Sequence, residues 1–229
     1  MSDGQTLIID GDDTLWENNI YFEQAIEDFI DFLDHSTLGR EQVRRVLDEV
    51  ERLNSRVHGY GSAAFARNLR ETYERLAERH VDQPALDHVM GLARRITQVE
   101  LQLLPGVPET LSYLEARHRL LLFTKGDIEE QRLKVQRSGL ESHFDRVVIA
   151  REKDVAAYRD LALQQGVDSA SAWMIGNSPR SDIHPALEAG LRAVYIPHAQ
   201  TWSLEQADVQ AGDGRVLVLD SFLALRDHF

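Results

Sequence analysis

Residues 119–139 read RLLLFTKGDIEEQRLKVQRSG. Leu120–Phe123 is an unbroken apolar run, too short for a helix and bounded by polar residues, which is the pattern of a strand buried on both faces. Asp127 followed by Glu130 three residues later predicts a capping-box helix start, and Gly139 supplies a helix stop. The same grammar repeats on either side. Strands are expected at Thr6–Asp10, Arg146–Ile149, Ala172–Gly176 and Ala193–Ile196, with a sixth at Arg215–Leu219. Helices are expected over Val107–Ala116, Asp154–Gln165 and Asp182–Ala189. Strands alternating with helices predict an α/β core: a parallel sheet wound on both faces.

The interval between the first two strands breaks this rhythm. Residues 16–104 contain no strand pattern and read as four amphipathic helices, over 20–34, 40–54, 62–80 and 84–102. In the second of these Val43, Val46, Leu47 and Val50 share one face, with charged residues around the rest. A single crossover does not need so long a segment. The expected organisation is therefore an α/β core from residues 1–15 and 105–229 with a helical lobe inserted over 16–104.

Composition narrows the function. The 229 residues carry 38 acids against 25 bases, a formal net charge of −13, which opposes non-specific binding to nucleic acid or anionic lipid. There is no cysteine, which excludes disulfides, thiolate metal sites and cysteine nucleophiles. Apolar runs reach four residues, as in Leu120–Phe123, so no membrane span is expected. The opening MSDGQTLIID has neither a basic leader nor a hydrophobic signal core, and a cytoplasmic, soluble protein is expected. Phosphate-loop, nucleophile-elbow and H-E-x-x-H signatures are absent, and the nine histidines show no metal-like spacing.

Four segments could carry chemistry. In Leu7-Ile8-Ile9-Asp10-Gly11-Asp12-Asp13-Thr14 a strand ends in a cluster of acids, at the end where open parallel sheets bind ligands. Asp10 and Asp12 are two residues apart, so an extended backbone points both to one side. Two carboxylates about 4 Å apart repel by about 4 kcal/mol at an effective dielectric of 20, and such a pair calls for a cation or a shared proton. An ordinary Asp-Gly turn would leave the same trace. Thr124 ends the second strand just before a helix start, a position that suits an anion or a plain turn equally. Lys153 stands in a charged stretch that would ordinarily be solvated surface. In Gly176-Asn177-Ser178-Pro179-Arg180-Ser181-Asp182 a strand again gives way to polar residues. There Asp182 is either a helix N-cap or an oxygen ligand for a hard cation such as magnesium.

Taken in order, these segments resemble the haloacid dehalogenase-like hydrolase superfamily, and the helical insertion falls where that family places its cap. The resemblance implies a Rossmann-like core and magnesium-dependent chemistry through an aspartyl-phosphate. Asp10 matches the nucleophile and Asp12 the general acid/base. Thr124 matches the hydroxyl that holds a phosphoryl oxygen, and Lys153 the cation that neutralises phosphate. Magnesium is implied at the Asp10 carboxylate, the Asp12 backbone carbonyl and Asp182, with Asn177 as a further oxygen ligand. Dehalogenases of the superfamily lack the second aspartate, because halide leaves without a proton; Asp12 therefore favours phosphoester hydrolysis.

The chain departs from the family pattern at three positions. Asn177 replaces the usual Asp, removes one negative charge and predicts weaker magnesium binding. Lys125 stands where a small or amide residue is commoner and is either a second phosphate contact or a surface residue. Asp154 stands where Pro commonly follows the motif lysine, which leaves Lys134 as the alternative cation. Cap loops of the family reach the site, which makes Arg56, His58 and Tyr60, in a segment expected to join two helices, candidates for substrate selection; an ordinary helix connector would leave the same trace. Trp16, where the chain enters the lobe, either lines the cleft as a further specificity residue or is packed at the hinge. The expected partner is a small soluble phosphate ester, without nucleic acid or membrane. A phosphomutase of the same superfamily and a non-catalytic phosphometabolite-binding protein are the alternative readings.

Overall fold

The computed structural model describes residues 4–210 and 214–229; residues 1–3 of the segment read above as leader-free lie outside them. The chain divides into two compact units, Met1–Asn18 with Leu101–Phe229, and Asn19–Glu100.

The first unit is built on a parallel sheet of six strands: β1 (Thr6–Ile9), β2 (Arg119–Lys125), β3 (Arg146–Ala150), β4 (Trp173–Gly176), β5 (Arg192–Tyr195) and β6 (Val216–Val218). Their order is β3-β2-β1-β4-β5-β6, so the chain reverses direction across the sheet beside β1. Alternate residues of each strand feed opposite layers. Leu7, Ile9, Leu120, Leu122 and Ile175 pack with Val107, Leu111 and Leu114 of α5 (Val107–Glu115) and Val135 of α6 (Ile128–Ser138). Ile8, Leu121, Phe123 and Met174 pack with Tyr158 and Leu161 of α7 (Val155–Gln165) and Ala186 of α8 (His184–Glu188). Two buried faces are why these strands are continuous apolar runs rather than alternating ones. The architecture is a Rossmann-like α/β fold. Among the described residues no helix is long and apolar enough to cross a membrane.

The second unit holds α1 (Asn19–Leu33), α2 (Arg40–His58), α3 (Ser62–Leu76) and α4 (Gln83–Ile96) around its own core, which includes Phe29, Leu47, Phe65, Leu69, Tyr73 and Leu92. Val43, Leu47 and Val50 of α2 are buried, while Val46 is half-buried.

The structure corrects the sequence reading at three places. Trp16–Asn18 and Leu101–Leu104 belong to the α/β unit, not to the helical insertion. Backbone bonds from Glu17 N to Gln102 O (2.9 Å) and from Leu104 N to Leu15 O (2.9 Å) tie the two crossing segments together beneath the insertion points. Helix α2 continues to His58 and stops at Gly59, so Arg56 and His58 are helical and the connector is only Gly59–Gly61. The helix expected from Asp182 is preceded by a five-residue π-turn, Pro179–Ile183, whose N-cap is Ser178. Asp182 therefore lies inside a turn and is released from capping.

Candidate active site

Asp10 follows directly on β1, and its backbone N–H is still held by Ile175 O (2.9 Å). Thr124 is the penultimate residue of β2, while Lys153 follows β3 and Asn177 follows β4. The carboxyl ends of four adjacent strands thus present polar side chains where all the strands stop together, as open α/β sheets do at their ligand crevice.

The centre of this group is Lys153. Its Nζ donates to Asp10 Oδ1 (2.5 Å) and to Asp182 Oδ1 (2.7 Å), and it lies 5.3 Å from the centroid of the Phe123 ring. All three charged residues are buried: Lys153 is 2% exposed, Asp10 7% and Asp182 1%. One ammonium between two carboxylates leaves a net negative charge out of water, a costly state. The Asp10 carboxyl is accordingly pushed up to about 7, first by burial and then by the facing Asp182, with Lys153 acting in the opposite direction. Burial draws the Lys153 ammonium down, but the two carboxylates outweigh it and hold it above its ordinary value.

Asp182 is aimed by its own turn. Its Oδ2 accepts from Ser178 N (3.0 Å). Gly176 makes room for it, since a Cβ there would lie 2.2 Å from Asp182 Oδ2. Thr14 Oγ1 joins the opening loop to the fourth strand, reaching Asp10 Oδ2 (3.2 Å) and Asn177 Oδ1 (3.3 Å). The amide of Asn177 donates to Thr201 Oγ1 (3.1 Å).

Asp12 stands apart. Its carboxylate accepts from Trp16 Nε1 (2.7 Å), Gln131 Nε2 (2.8 Å) and Lys134 Nζ (2.9 and 3.0 Å). Lys134 also donates to Asn18 Oδ1 (2.7 Å). The strand ends at Ile9 and the chain coils through Gly11, where Leu15 N returns to Gly11 O (2.8 Å). The side chains of Asp10 and Asp182 converge on Lys153, while that of Asp12 is bonded to Trp16, Gln131 and Lys134.

The remaining expected residues fall as follows. Thr124 is buried, with Oγ1 3.4 Å from Gln131 Oε1. Lys125 is half-buried rather than a free surface residue, and its Nζ donates to Glu205 Oε1 (2.6 Å) and Ser181 Oγ (2.8 Å). Trp16 is not a substrate-facing residue, being fully buried in the α/β core and bonded to Asp12. Arg56 and His58 are exposed and Tyr60 is half-buried, all within the helical unit. Asp154, the departure after the motif lysine, accepts from Ala157 N (2.8 Å) and caps α7, so it starts the helix in proline's place. Gln131, Thr201 and Glu205 lie outside the expected set, and Ser178 and Ser181 enter it only within the polar run that leads to Asp182. Gln131 sits three residues before Lys134 and so shares its helix face.

Magnesium favours carboxylate, carbonyl and water oxygens. The buried Asp10 and Asp182 carboxylates, excess in negative charge and each one hydrogen bond from the same ammonium, fit such an ion. A second group of ligand atoms, from Asp13, Glu17 and His198, lies within 4.8 Å of one another.

The pattern of the hydrolase family described as haloacid dehalogenase-like hydrolase matches residues 5–190. A phosphoserine phosphatase of Thermus thermophilus is 31% identical over 156 residues, covering 61% of this chain and 63% of the relative. The chain thus spans less than two thirds of that relative's length. Among solved structures, a haloacid dehalogenase-like family hydrolase from Xanthomonas campestris is 27% identical with a TM-score of 0.85, covering 99% of this chain and 94% of that one. A 2-haloacid dehalogenase from Pseudomonas syringae shares the fold at 21% identity and a TM-score of 0.61, covering 98% and 97%.

Proposed function

The chain belongs to the haloacid dehalogenase-like hydrolase family, and from that premise we propose that it is a magnesium-dependent phosphatase acting on small soluble phosphate monoesters. The observation that carries this reading is the buried Asp10–Lys153–Asp182 centre at the carboxyl end of the sheet. The phosphatase named among its relatives supports the substrate class.

In this reading an Asp10 carboxylate oxygen attacks phosphorus as the ester P–O bond breaks, giving an aspartyl-phosphate and splitting one difficult step into two. Asp12 gives a proton to the leaving oxygen and then takes one from the water that attacks phosphorus as the P–O bond to Asp10 breaks, which releases phosphate and restores the Asp10 carboxylate. Trp16, Gln131 and Lys134 hold the Asp12 carboxyl in one orientation for both transfers. Thr124 Oγ1 and the Lys153 ammonium bind phosphoryl oxygens. The Asp10 and Asp182 carboxylates, the Asp12 backbone carbonyl and Asn177 Oδ1 would hold magnesium. When bound, the metal supplies positive charge that keeps Asp10 ionised and offsets the charge of the phosphate. Arg56, His58 and Tyr60 of the helical unit carry substrate selection.

The test is a panel of phosphate esters, opened with a generic aryl phosphate, assayed for free phosphate with Mg2+ and with EDTA. Phosphate release that EDTA abolishes is the expected result. An isomerised sugar phosphate without net release would identify a phosphomutase, and halide from a 2-haloacid a dehalogenase. Binding of esters without turnover would reduce the site to a receptor.

A further inference from the structure

The loop between β5 and β6 carries no motif, yet two of its residues grip the segment that presents Asn177 and Asp182. Thr201 Oγ1 accepts from the Asn177 amide (3.1 Å). Glu205, in the short 3-10 turn Ser203–Glu205, accepts through Oε2 from both Ser178 Oγ (2.5 Å) and Ser181 Oγ (2.5 Å). Its other oxygen, Oε1, is held by Lys125 Nζ (2.6 Å), and Lys125 reaches on to Ser181 Oγ (2.8 Å). The two serines are the residues that shape the π-turn: Ser178 Oγ caps it by accepting from Ser181 N (3.0 Å), and Ser178 N fixes Asp182 Oδ2 (3.0 Å). From behind, Tyr158 Oη donates to Ser181 O (2.8 Å).

Glu205 and Lys125 are largely shielded from water, with side chains 14% and 16% exposed. Burial pushes the Glu205 carboxyl up, but Lys125 and the two seryl hydroxyls more than compensate and hold it below the usual carboxylate range. A π-turn is an uncommon conformation that recurs at functional sites. Here it is what turns Asp182 inward rather than leaving it as an N-cap, and a buried, fully bonded ion pair is a fitting brace for it. We infer that Glu205 and Lys125 are positioning residues: a two-residue clasp that locks the Ser178–Asp182 turn and so sets the affinity of the Asp182 centre for a divalent cation. This deepens the phosphatase reading and rests on its placement of the cation at Asp182. It assigns Lys125 a partner in the protein rather than in the substrate.

The clasp is tested by Mg2+ binding to the full chain, measured by titration calorimetry beside thermal unfolding. Glu205→Gln and Lys125→Met are each expected to weaken Mg2+ binding tenfold or more. The double variant should be no weaker than the weaker single, because the pair acts as a unit. A loss of melting temperature with unchanged Mg2+ affinity in both singles would mean a merely structural brace and overturn the inference, as would fully additive losses. If either variant does not fold, Ser181→Ala removes one contact of the clasp and should weaken binding about threefold; unchanged affinity there overturns the inference too. A wild-type chain that does not bind Mg2+ overturns it outright. A wild-type chain that binds Mg2+ yet releases no phosphate from any ester sinks the phosphatase reading alone, and the binding data still decide the clasp.

Discussion

Asp10 and Asp12 lie two residues apart, and each meets a lysine ammonium, yet the surroundings of the two pairs differ. Asp10 shares Lys153 with Asp182 in a nearly dry site, with side-chain exposures of 10%, 1% and 1%. Asp12 meets Lys134 where the side chains are 21% and 17% exposed and two neutral donors share the load. A buried pair is held chiefly by the penalty of breaking it, whereas a partly wet pair contributes little net energy. The same residue types are thus held in two ways: Asp10 under charge stress beside Asp182, and Asp12 in one orientation by three donors.

The contrast can be broken at several levels. Asp10→Asn removes the attacking oxygen and should cut phosphate release on the order of 10³-fold or more; steady-state hydrolysis of an aryl phosphate measures it. A variant with near wild-type turnover would move the chemistry elsewhere. Lys153→Met should destabilise the EDTA-treated protein by about 3–5 kcal/mol, because it strands two facing carboxylates without a counterion. Urea unfolding reads this, and a loss below about 1 kcal/mol would erase the difference between the two pairs.

The pH dependence follows from Asp10. Its carboxyl is raised in the fold, from 3.8 to about 7, so the folded state holds its proton more tightly than the unfolded state. The stability this contributes is fully present below pH ~4 and is lost as pH climbs through about 7, amounting to on the order of 2–4 kcal/mol. Unfolding of the metal-free protein across that window should show the decline, and Asp10→Asn should flatten it; a decline that persists in the variant would assign it to another group. Lys134→Met should cost only about 1 kcal/mol in stability, since Trp16 and Gln131 still hold Asp12. A cost equal to that of Lys153→Met would make the two pairs equivalent.

Much of this was legible from residues alone, and the misses share a cause. The strands could be read because burial on both faces leaves uninterrupted apolar runs such as Leu120–Phe123. Lys153 could not be singled out from its charged neighbours, because only the convergence of β1, β3 and β4 puts Asp10 and Asp182 around it. Local sequence does not choose between a cleft-lining and a hinge-packed Trp16. The coil from Gly11 to Trp16 folds the indole back under Asp12. Glu205 lies in a loop with no periodicity, and its partners are contributed by β2 and by the turn after β4.

The sequence by itself determined the alternation of buried strands and helices, the helical insertion and the family, because apolar periodicity and short motifs act over one or two turns of chain. Tertiary structure decided which acids face one another, which lysine each one meets and which polar loop braces them. Those pairings join distant parts of the chain, with 143 positions between Asp10 and Lys153. Their energies come from burial, which no local stretch of residues encodes.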